Sequence, residues 1–142
     1  MDDLKEWIKS YQDFPSPGIL FRDISPLLAE PSALTTLKNR FTEAIKPLSP
    51  DFIAGIDARG FLFSTLIAEH LEIGALMIRK PKKLPGELVT KSYDLEYGSN
   101  SLTMQRENLT GKSVVIVDDL LATGGSMTVS YTHLTLPTNG TV

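Results

Sequence analysis

The amino-acid sequence predicts an α/β fold in which a central, mostly parallel sheet is flanked by helices and carries a β-hairpin flap. Short apolar runs at 52–56, 75–78 and 114–117 have the length and composition of strands buried on both faces of a parallel sheet. A stretch with helical apolar spacing joins the first two runs, which indicates a βαβ unit with a right-handed crossover. Alternating runs at 88–95 and 101–105, separated by turn residues, predict the hairpin.

Composition is that of one globular domain with an ordinary core. The chain has 142 residues, of which 42% are hydrophobic and 22% are charged. It contains no cysteine, which excludes a disulfide framework and a thiolate metal site. Its net charge of −3 disfavours a nucleic-acid partner, because such a partner requires a clustered basic surface. The sequence shows no secretion signal and no apolar run of membrane-spanning length, so we expect a cytoplasmic protein without a membrane partner.

Two helices and an apolar loop are predicted ahead of the sheet. Apolar spacing behind an acidic start predicts a short amphipathic helix over 2–11. The segment 14–21, FPSPGILF, contains two prolines and a glycine, so it is predicted to be an apolar loop that can line a pocket. A second helix is predicted to begin at Pro31, which suits a first helical turn, and to stop at Pro47.

Charged residues follow each of the three predicted sheet strands. They are Asp57 and Arg59 after the first strand, Arg79 and Lys80 after the second, and Asp118 and Asp119 after the third. The carboxyl ends of strands are where open α/β sheets bind ligands. The next segment, 80–87 (KPKKLPGE), has the composition of a mobile surface loop and is predicted to be a flexible flap.

The strand at 114–117 leads into two carboxylates and a glycine loop, and this stretch carries the strongest functional signal. The loop residues can offer backbone N–H groups and two hydroxyls to a phosphate; they are Thr123, Gly124, Gly125 and Ser126. Asp118 and Asp119 cannot bind that phosphate, but they can accept hydrogen bonds from sugar hydroxyls or help to hold Mg²⁺. Without the glycine loop, two such carboxylates would be read as a helix cap. The combination predicts a ribose-phosphate site.

From Tyr11 to Met127 the sequence resembles the adenine phosphoribosyltransferase family. The segment VDDLLATGGS (117–126) is similar to the phosphoribosyl-pyrophosphate motif of the wider phosphoribosyltransferase class. Four further segments resemble the adenine-specific members in the same order: FPSPGILFRDISPLL (14–28), ARGFLF (58–63), IRKPKKLPGE (78–87) and YDLEYG (93–98). The resemblance implies a type I phosphoribosyltransferase fold. It also implies a homodimeric, Mg²⁺-dependent enzyme of purine salvage that converts adenine and phosphoribosyl pyrophosphate (PRPP) into AMP and pyrophosphate.

The resemblance further implies a role for each site residue. The 5′-phosphate and ribose would be held by Asp118, Asp119, Ala122, Thr123, Gly124, Gly125 and Ser126. Pyrophosphate would be held by Ala58, Arg59, Arg79, Lys80 and Lys83, with a non-proline cis peptide at Asp57–Ala58. Adenine would be held by Leu20, Phe21 and Arg22. Glu96 and Arg59 would be catalytic, Glu96 as the acid/base at the purine N7 and Arg59 by stabilising the leaving pyrophosphate. No residue is implied as a direct metal ligand, because PRPP would carry most of the Mg²⁺.

Three of these assignments depend on the resemblance more than on the residues. An acid at a hairpin turn, such as Glu96, is usually only solvated. An aromatic residue such as Phe21 is more often part of a core than a stacking platform. The lysines of the flap form a solvated charge run by default, of which one or two would touch pyrophosphate.

The last fifteen residues depart from the family pattern. A phosphate loop of this kind normally leads into an amphipathic helix, but 128–142 is rich in β-branched residues and carries Pro137. We therefore expect a phosphoribosyltransferase domain at 1–127, incomplete at its C-terminus, and a foreign or frameshifted tail at 128–142. Two alternatives to an active enzyme follow: a non-catalytic nucleotide-sensing regulator on the same fold, and an inactive truncated fragment.

Overall fold

The computed structural model describes residues 4–95, 98–106 and 109–118. The chain divides into two compact units, Met1–Glu43 and Ala44–Val142. The first unit holds a short 3₁₀ turn, a two-stranded hairpin and two helices. These are the turn Leu4–Trp7, β1 (Lys9–Gln12), β2 (Leu20–Asp23), α1 (Ser25–Ala29) and α2 (Pro31–Ile45), whose last residues pass the boundary between the units.

The helix predicted over 2–11 is wrong. Within the described part of that range, from residue 4 onward, only Leu4–Trp7 is helical, as one 3₁₀ turn, and Lys9–Gln12 forms β1. This strand pairs antiparallel with β2, so that Tyr11 lies opposite Phe21. Pairing with β2 supplies backbone hydrogen bonds that outweigh a weak local helical preference.

The predicted apolar loop is confirmed over 14–19, while Leu20 and Phe21 belong to β2. The loop closes on itself, because the Phe14 N–H donates to the Ile19 carbonyl at 3.1 Å and the Gly18 N–H donates to Asp13 Oδ1 at 2.8 Å. The helix predicted to begin at Pro31 is confirmed: α2 spans Pro31–Ile45, and a 3₁₀ turn follows at Lys46–Leu48.

The second unit contains the predicted parallel sheet and hairpin. Its elements are β3 (Phe52–Ile56), α3 (Gly60–Leu71), β4 (Gly74–Ile78), β5 (Leu88–Leu95), β6 (Gly98–Gln105) and β7 (Val114–Val117). β3 lies between β4 and β7 and is parallel to both, while β5 and β6 pair antiparallel. β6 begins three residues before the predicted 101, because the ladder continues through the turn-forming residues to the pair Leu95↔Gly98.

The two faces of β3 pack against different elements. On one face, apolar residues of the sheet form a cluster with Leu102 and Met104 of β6 and with Leu109; the sheet residues are Ala54, Ile56, Ile78 and Ile116. On the other face, Gly55 lies against Ser64 and the backbone of Gly60 in α3. Side chains alternate along a strand, so the sheet is covered by α3 on one side and by the base of the hairpin on the other. Among the described residues, no helix has the length and apolar composition needed to cross a membrane.

The hairpin joins the end of β4 through one antiparallel bridge. Arg79 and Thr103 exchange backbone hydrogen bonds of 2.9 and 2.7 Å, and Thr103 Oγ1 donates to the Arg79 carbonyl at 2.8 Å. Only 3% of Thr103 is exposed. The backbone of Arg79 is thereby fixed where the connection to β5 begins.

Replacing Thr103 with valine should lower the free energy of unfolding by about 1 kcal/mol, because the isosteric side chain cannot donate the buried hydrogen bond. Urea denaturation measures the difference. Thr90→Val is the matched control, since Thr90 pairs directly with Thr103 across the hairpin but is exposed. Equal losses in the two variants would show that the buried hydroxyl contributes nothing.

Helix α3 ends at Glu72, whose left-handed backbone conformation is unfavourable for a residue with a Cβ. Glu72 has φ 59° and ψ 40°, and its N–H donates to the carbonyls of Ala68 and Glu69. The next N–H, of Ile73, reaches the Ala68 carbonyl at 3.0 Å. This is the left-handed helix end at which glycine is the favoured residue.

Glu72→Gly is expected to raise the free energy of unfolding by about 0.5–1 kcal/mol, because glycine adopts this conformation without the penalty that a Cβ imposes. The measurement is the midpoint of thermal or urea unfolding. Glu72→Ala removes the same carboxylate but keeps the Cβ, so it should leave the midpoint nearly unchanged. If Glu72→Ala stabilised the protein as much as Glu72→Gly, the gain would come from removing the carboxylate charge and not from the backbone conformation.

Candidate active site

The loop after β3 turns at once into helix α3. The Asp57 N–H donates to the Ile78 carbonyl at 2.9 Å, which extends the pairing of β3 with β4 by one residue. The peptide bond between Asp57 and Ala58 is cis, as the family resemblance implied. Ala58 and Arg59 are exposed, whereas Gly60, the first residue of α3, is buried. Two of the predicted pyrophosphate residues therefore lie on the surface at a helix N-terminus, where backbone N–H groups favour an anion.

Arg79 forms an ion pair with Asp57 across the ends of β4 and β3. Its Nε donates to Asp57 Oδ2 at 3.0 Å, and the two side chains are 29% and 23% exposed. The guanidinium carbon also lies 6.0 Å from the centre of the Phe61 ring, at the outer limit of a cation–π contact. Asp57 therefore holds the Nε edge of the guanidinium, and the Phe61 ring lies against one of its faces.

The end of β7 reaches the same helix N-terminus. A Cβ placed on Gly60 would lie 2.9 Å from the Val117 carbonyl oxygen and 3.4 Å from Asp118 Oδ1. Only glycine permits this approach of strand and helix. The structure therefore brings Asp118 beside the start of α3, at the same end of the sheet as Arg59 and Arg79.

The two predicted flap lysines lie on the connection from β4 to β5. Lys80 and Lys83 are both exposed. This connection is tied to β6 where Gln105 Nε2 donates to the Pro85 carbonyl at 3.3 Å and the Arg106 N–H donates to the Glu87 carbonyl at 3.0 Å. Lys80 follows Arg79 directly and so stands at the sheet end, while Lys83 lies farther along the connection.

The predicted adenine residues form most of strand β2 in the first unit. Leu20 is 48% exposed and Phe21 is half-buried. The Phe21 ring meets the Phe14 ring edge to face, with centroids 5.1 Å apart and planes at 74°. Arg22 Nη1 donates to Ser10 Oγ at 3.4 Å, across the hairpin. Within this unit, the Phe21 ring therefore contacts a ring of the preceding loop, and Arg22 is exposed on the strand.

Several predicted site residues lie outside the residues that the structure describes. They are Glu96, Asp119, Ala122, Thr123, Gly124, Gly125 and Ser126, and the same holds for the predicted tail at 128–142. Their proposed roles therefore depend on the sequence.

Sequence reasoning assigned no partner to Asp57 and no role to Phe61 or Thr103, although all three contact Arg79. One signal was available for Asp57. An acid and an arginine that directly follow the two strands of one βαβ unit are expected to be neighbours, because those strands are parallel and adjacent. The sequence holds no comparable signal for Phe61 or Thr103.

Comparisons with known proteins agree with this geometry. The family described as "Phosphoribosyl transferase domain" matches residues 33–135. Adenine phosphoribosyltransferase of Gluconacetobacter diazotrophicus is 49% identical over 133 residues, which are 93% of this chain and 76% of that protein.

Two solved structures are similar to this chain. The crystal structure of adenine phosphoribosyltransferase from Thermoanaerobacter pseudethanolicus has a TM-score of 0.86 and 41% identity, covering 98% of this chain and 81% of that one. The Saccharomyces cerevisiae enzyme, complexed with D-2,5-dideoxy-2,5-imino-altritol 1,6-bisphosphate and adenine, has a TM-score of 0.81 and 39% identity, covering 89% and 75% of the respective chains. The protein thus belongs to the adenine phosphoribosyltransferase family.

Proposed function

We propose that this protein transfers the phosphoribosyl group of PRPP to adenine, giving AMP and pyrophosphate, as a step of purine salvage. The observation that carries the proposal is the position of Arg59, Arg79 and Asp118 at the same end of the sheet, after β3, β4 and β7. Two guanidinium groups that suit a pyrophosphate and a carboxylate that suits ribose hydroxyls therefore lie at one end of the sheet. The relatives of this chain are named for the same activity.

The two arginines have the chemistry that the leaving group requires. When the bond between the ribose C1 and the pyrophosphate oxygen breaks, negative charge grows on pyrophosphate while C1 becomes cation-like. Guanidinium groups stabilise such charge through paired N–H donors, and they do so best where the protein holds them in place beforehand. Arg79 is held by Asp57, and Arg59 stands at the start of α3, so each meets part of this requirement.

The remaining roles follow the family resemblance. Asp118 and Asp119 accept hydrogen bonds from the ribose hydroxyls, and residues 122–126 enclose the 5′-phosphate through backbone N–H groups. Leu20, Phe21 and Arg22 bind adenine, and Glu96 manages one proton at the purine N7. Lys80 and Lys83 add charge near the pyrophosphate when the flap closes, which excludes water from the reacting sugar.

Mg²⁺ is the proposed cofactor, and it enters mainly with PRPP. Within the described ranges no group of three or more acidic, histidine or cysteine side chains could hold a metal ion. At this end of the sheet the Asp57 carboxylate is engaged with Arg79, and the Asp118 carboxylate lies beside the start of α3. In this proposal the cation is bound chiefly by substrate oxygens and water, as Mg²⁺ usually is. When bound, the ion neutralises charge on the pyrophosphate.

The assembly and location proposed for the enzyme are a homodimer in the cytoplasm, and both rest on family analogy. Light scattering on the purified full chain measures the assembly. A mass near twice 15.6 kDa supports a dimer, and a single-chain mass overturns it.

Incubating the full chain with labelled adenine, PRPP and Mg²⁺ tests the activity. Labelled AMP should form, with pyrophosphate in equal amount, and hypoxanthine should be a poor substitute for adenine. Equal use of hypoxanthine would overturn the adenine assignment. Binding of AMP without any turnover would favour the non-catalytic regulator.

A further inference from the structure

Arg79 is held at more points than an arginine that only contributes charge would need. Its backbone is paired with Thr103 on both sides, its Nε donates to Asp57 Oδ2 at 3.0 Å, and the Phe61 ring lies 6.0 Å from its guanidinium carbon. The Asp57 backbone is fixed as well, through its N–H bond to the Ile78 carbonyl at 2.9 Å. Both members of the pair therefore project from hydrogen-bonded backbone at adjacent strand ends.

The ion pair contributes little to stability, so its main consequence is geometric. With 29% and 23% of the two side chains exposed, water screens the attraction, and pairs of this kind add little to the free energy of unfolding. An unrestrained arginine side chain, however, samples many rotamers and loses that conformational entropy when a ligand orders it. Asp57 removes much of that freedom before any ligand binds.

Asp57 binds the Nε atom of Arg79, which leaves the two Nη atoms available to bind an anion as a pair. Arginine has five N–H groups, one on Nε and four on the two Nη atoms. Asp57 accepts from Nε, so the paired N–H groups on Nη1 and Nη2 keep the spacing that matches two oxygens of a phosphate. An acid bound to the two Nη atoms instead would compete with such a ligand.

We infer that Asp57 is a positioning residue, which fixes the guanidinium of Arg79 so that both Nη groups bind one phosphate of the pyrophosphate. This rests on the proposed function in so far as pyrophosphate is the ligand. Asp57 then favours the binding of an anion although it is itself negatively charged. A carboxylate near an anion site repels the anion, yet here its removal should weaken anion binding, because the loss of orientation in Arg79 outweighs the loss of repulsion.

Calorimetric titration of the full chain with inorganic pyrophosphate and Mg²⁺ tests this inference directly. Asp57→Asn should weaken pyrophosphate binding about tenfold, which lies between the effects expected for an exposed and a buried charge pair. In an Arg79→Ala background, the same substitution should leave the affinity unchanged or make it tighter. In the AMP assay, Asp57→Asn should raise the KM for PRPP and leave the KM for adenine unchanged.

Asp51→Asn provides the matched control. Asp51 precedes β3 at its opposite end, and its Oδ2 accepts one hydrogen bond, from the Ser113 N–H at 2.8 Å. The substitution removes the same charge at the opposite end of β3, and it should not change pyrophosphate affinity. Melting temperatures of all variants show whether a loss of binding is merely a loss of folding.

Each outcome decides the inference. Unchanged or tighter binding in Asp57→Asn overturns it, as does an equal loss with and without Arg79. A wild-type chain that binds no pyrophosphate also overturns it. If the wild-type chain binds pyrophosphate with the expected dependence on Asp57 but forms no AMP, the inference stands and the proposed enzymatic function fails.

Discussion

Replacing Arg59 with alanine is expected to lower kcat for AMP formation by about 10²–10³-fold, with a smaller change in the KM for PRPP. Arg59 is exposed beside the N-terminus of α3, next to the cis peptide at Asp57–Ala58. The charge of the departing pyrophosphate grows in the transition state, so a guanidinium at this position stabilises the transition state more than it stabilises bound PRPP. Steady-state kinetics with adenine saturating and PRPP varied measures both constants.

Two further arginine variants show whether the loss of kcat comes from the paired N–H donors of Arg59 or from its charge alone. Arg59→Lys keeps the charge but loses the paired N–H donors, so it should recover only part of the activity. Arg106→Ala removes an exposed arginine at the end of β6, outside the proposed site, and should be close to wild type. Full activity in Arg59→Ala would remove Arg59 from the catalytic assignment. A fall in kcat as large in Arg106→Ala would mean that net charge, and not position, is responsible.

Replacing Gly55 with alanine is expected to lower the free energy of unfolding by about 3 kcal/mol, the upper end of the range for overpacking a core. A Cβ on Gly55 would lie 2.6 Å from the carbonyl oxygen of Gly60 and would also meet Ser64 Oγ. The Gly60 carbonyl is backbone, and it cannot turn aside as the Ser64 side chain can. Helix α3 would have to move away from the sheet and carry Arg59 with it, so AMP formation should fall together with stability.

Gly74→Ala is the matched control for this substitution. Gly74 lies in the neighbouring strand β4, and its Cβ would meet only the Phe52 ring, at 3.1 Å. A half-buried ring can shift by a few tenths of an ångström, so the free energy of unfolding should change by less than about 1 kcal/mol. Urea denaturation of both variants gives the comparison. If Gly55→Ala were as mild as Gly74→Ala, the close packing of α3 on β3 would not be needed for stability.

The parts of the fold that could be predicted are those with a local signal. The runs at 52–56 and 114–117 are short, apolar and bounded by turn residues, and both form strands of the parallel sheet with the predicted limits. Helix α2 begins at Pro31 as predicted, because proline at a first turn is a local stereochemical preference. The helix predicted over 2–11 failed because residues 9–12 pair with β2, and the backbone hydrogen bonds of that pairing leave no signal in the apolar spacing.

The candidate site also has a part that the sequence could predict and a part that it could not. Which charged residues follow each strand can be read directly from the sequence, and the parallel order of β4, β3 and β7 places them at one end of the sheet. The individual contacts could not be read, because they depend on distances between segments that are far apart in the chain. The pair of Arg79 with Asp57, the contact with Phe61 and the bridge to Thr103 are all of this kind.

By itself, the sequence determined the class of fold, the family and the set of residues available for chemistry, because periodicity, turn residues and motifs are properties of neighbouring positions. Only the tertiary structure decided that residues 9–12 are a strand, that Gly55 and Gly60 are the points where α3 touches β3 and β7, and that Asp57 holds Arg79 through Nε. The physical reason is that strand pairing, close packing and ion pairs are set by the distances between segments, and those distances exist only once the chain has folded.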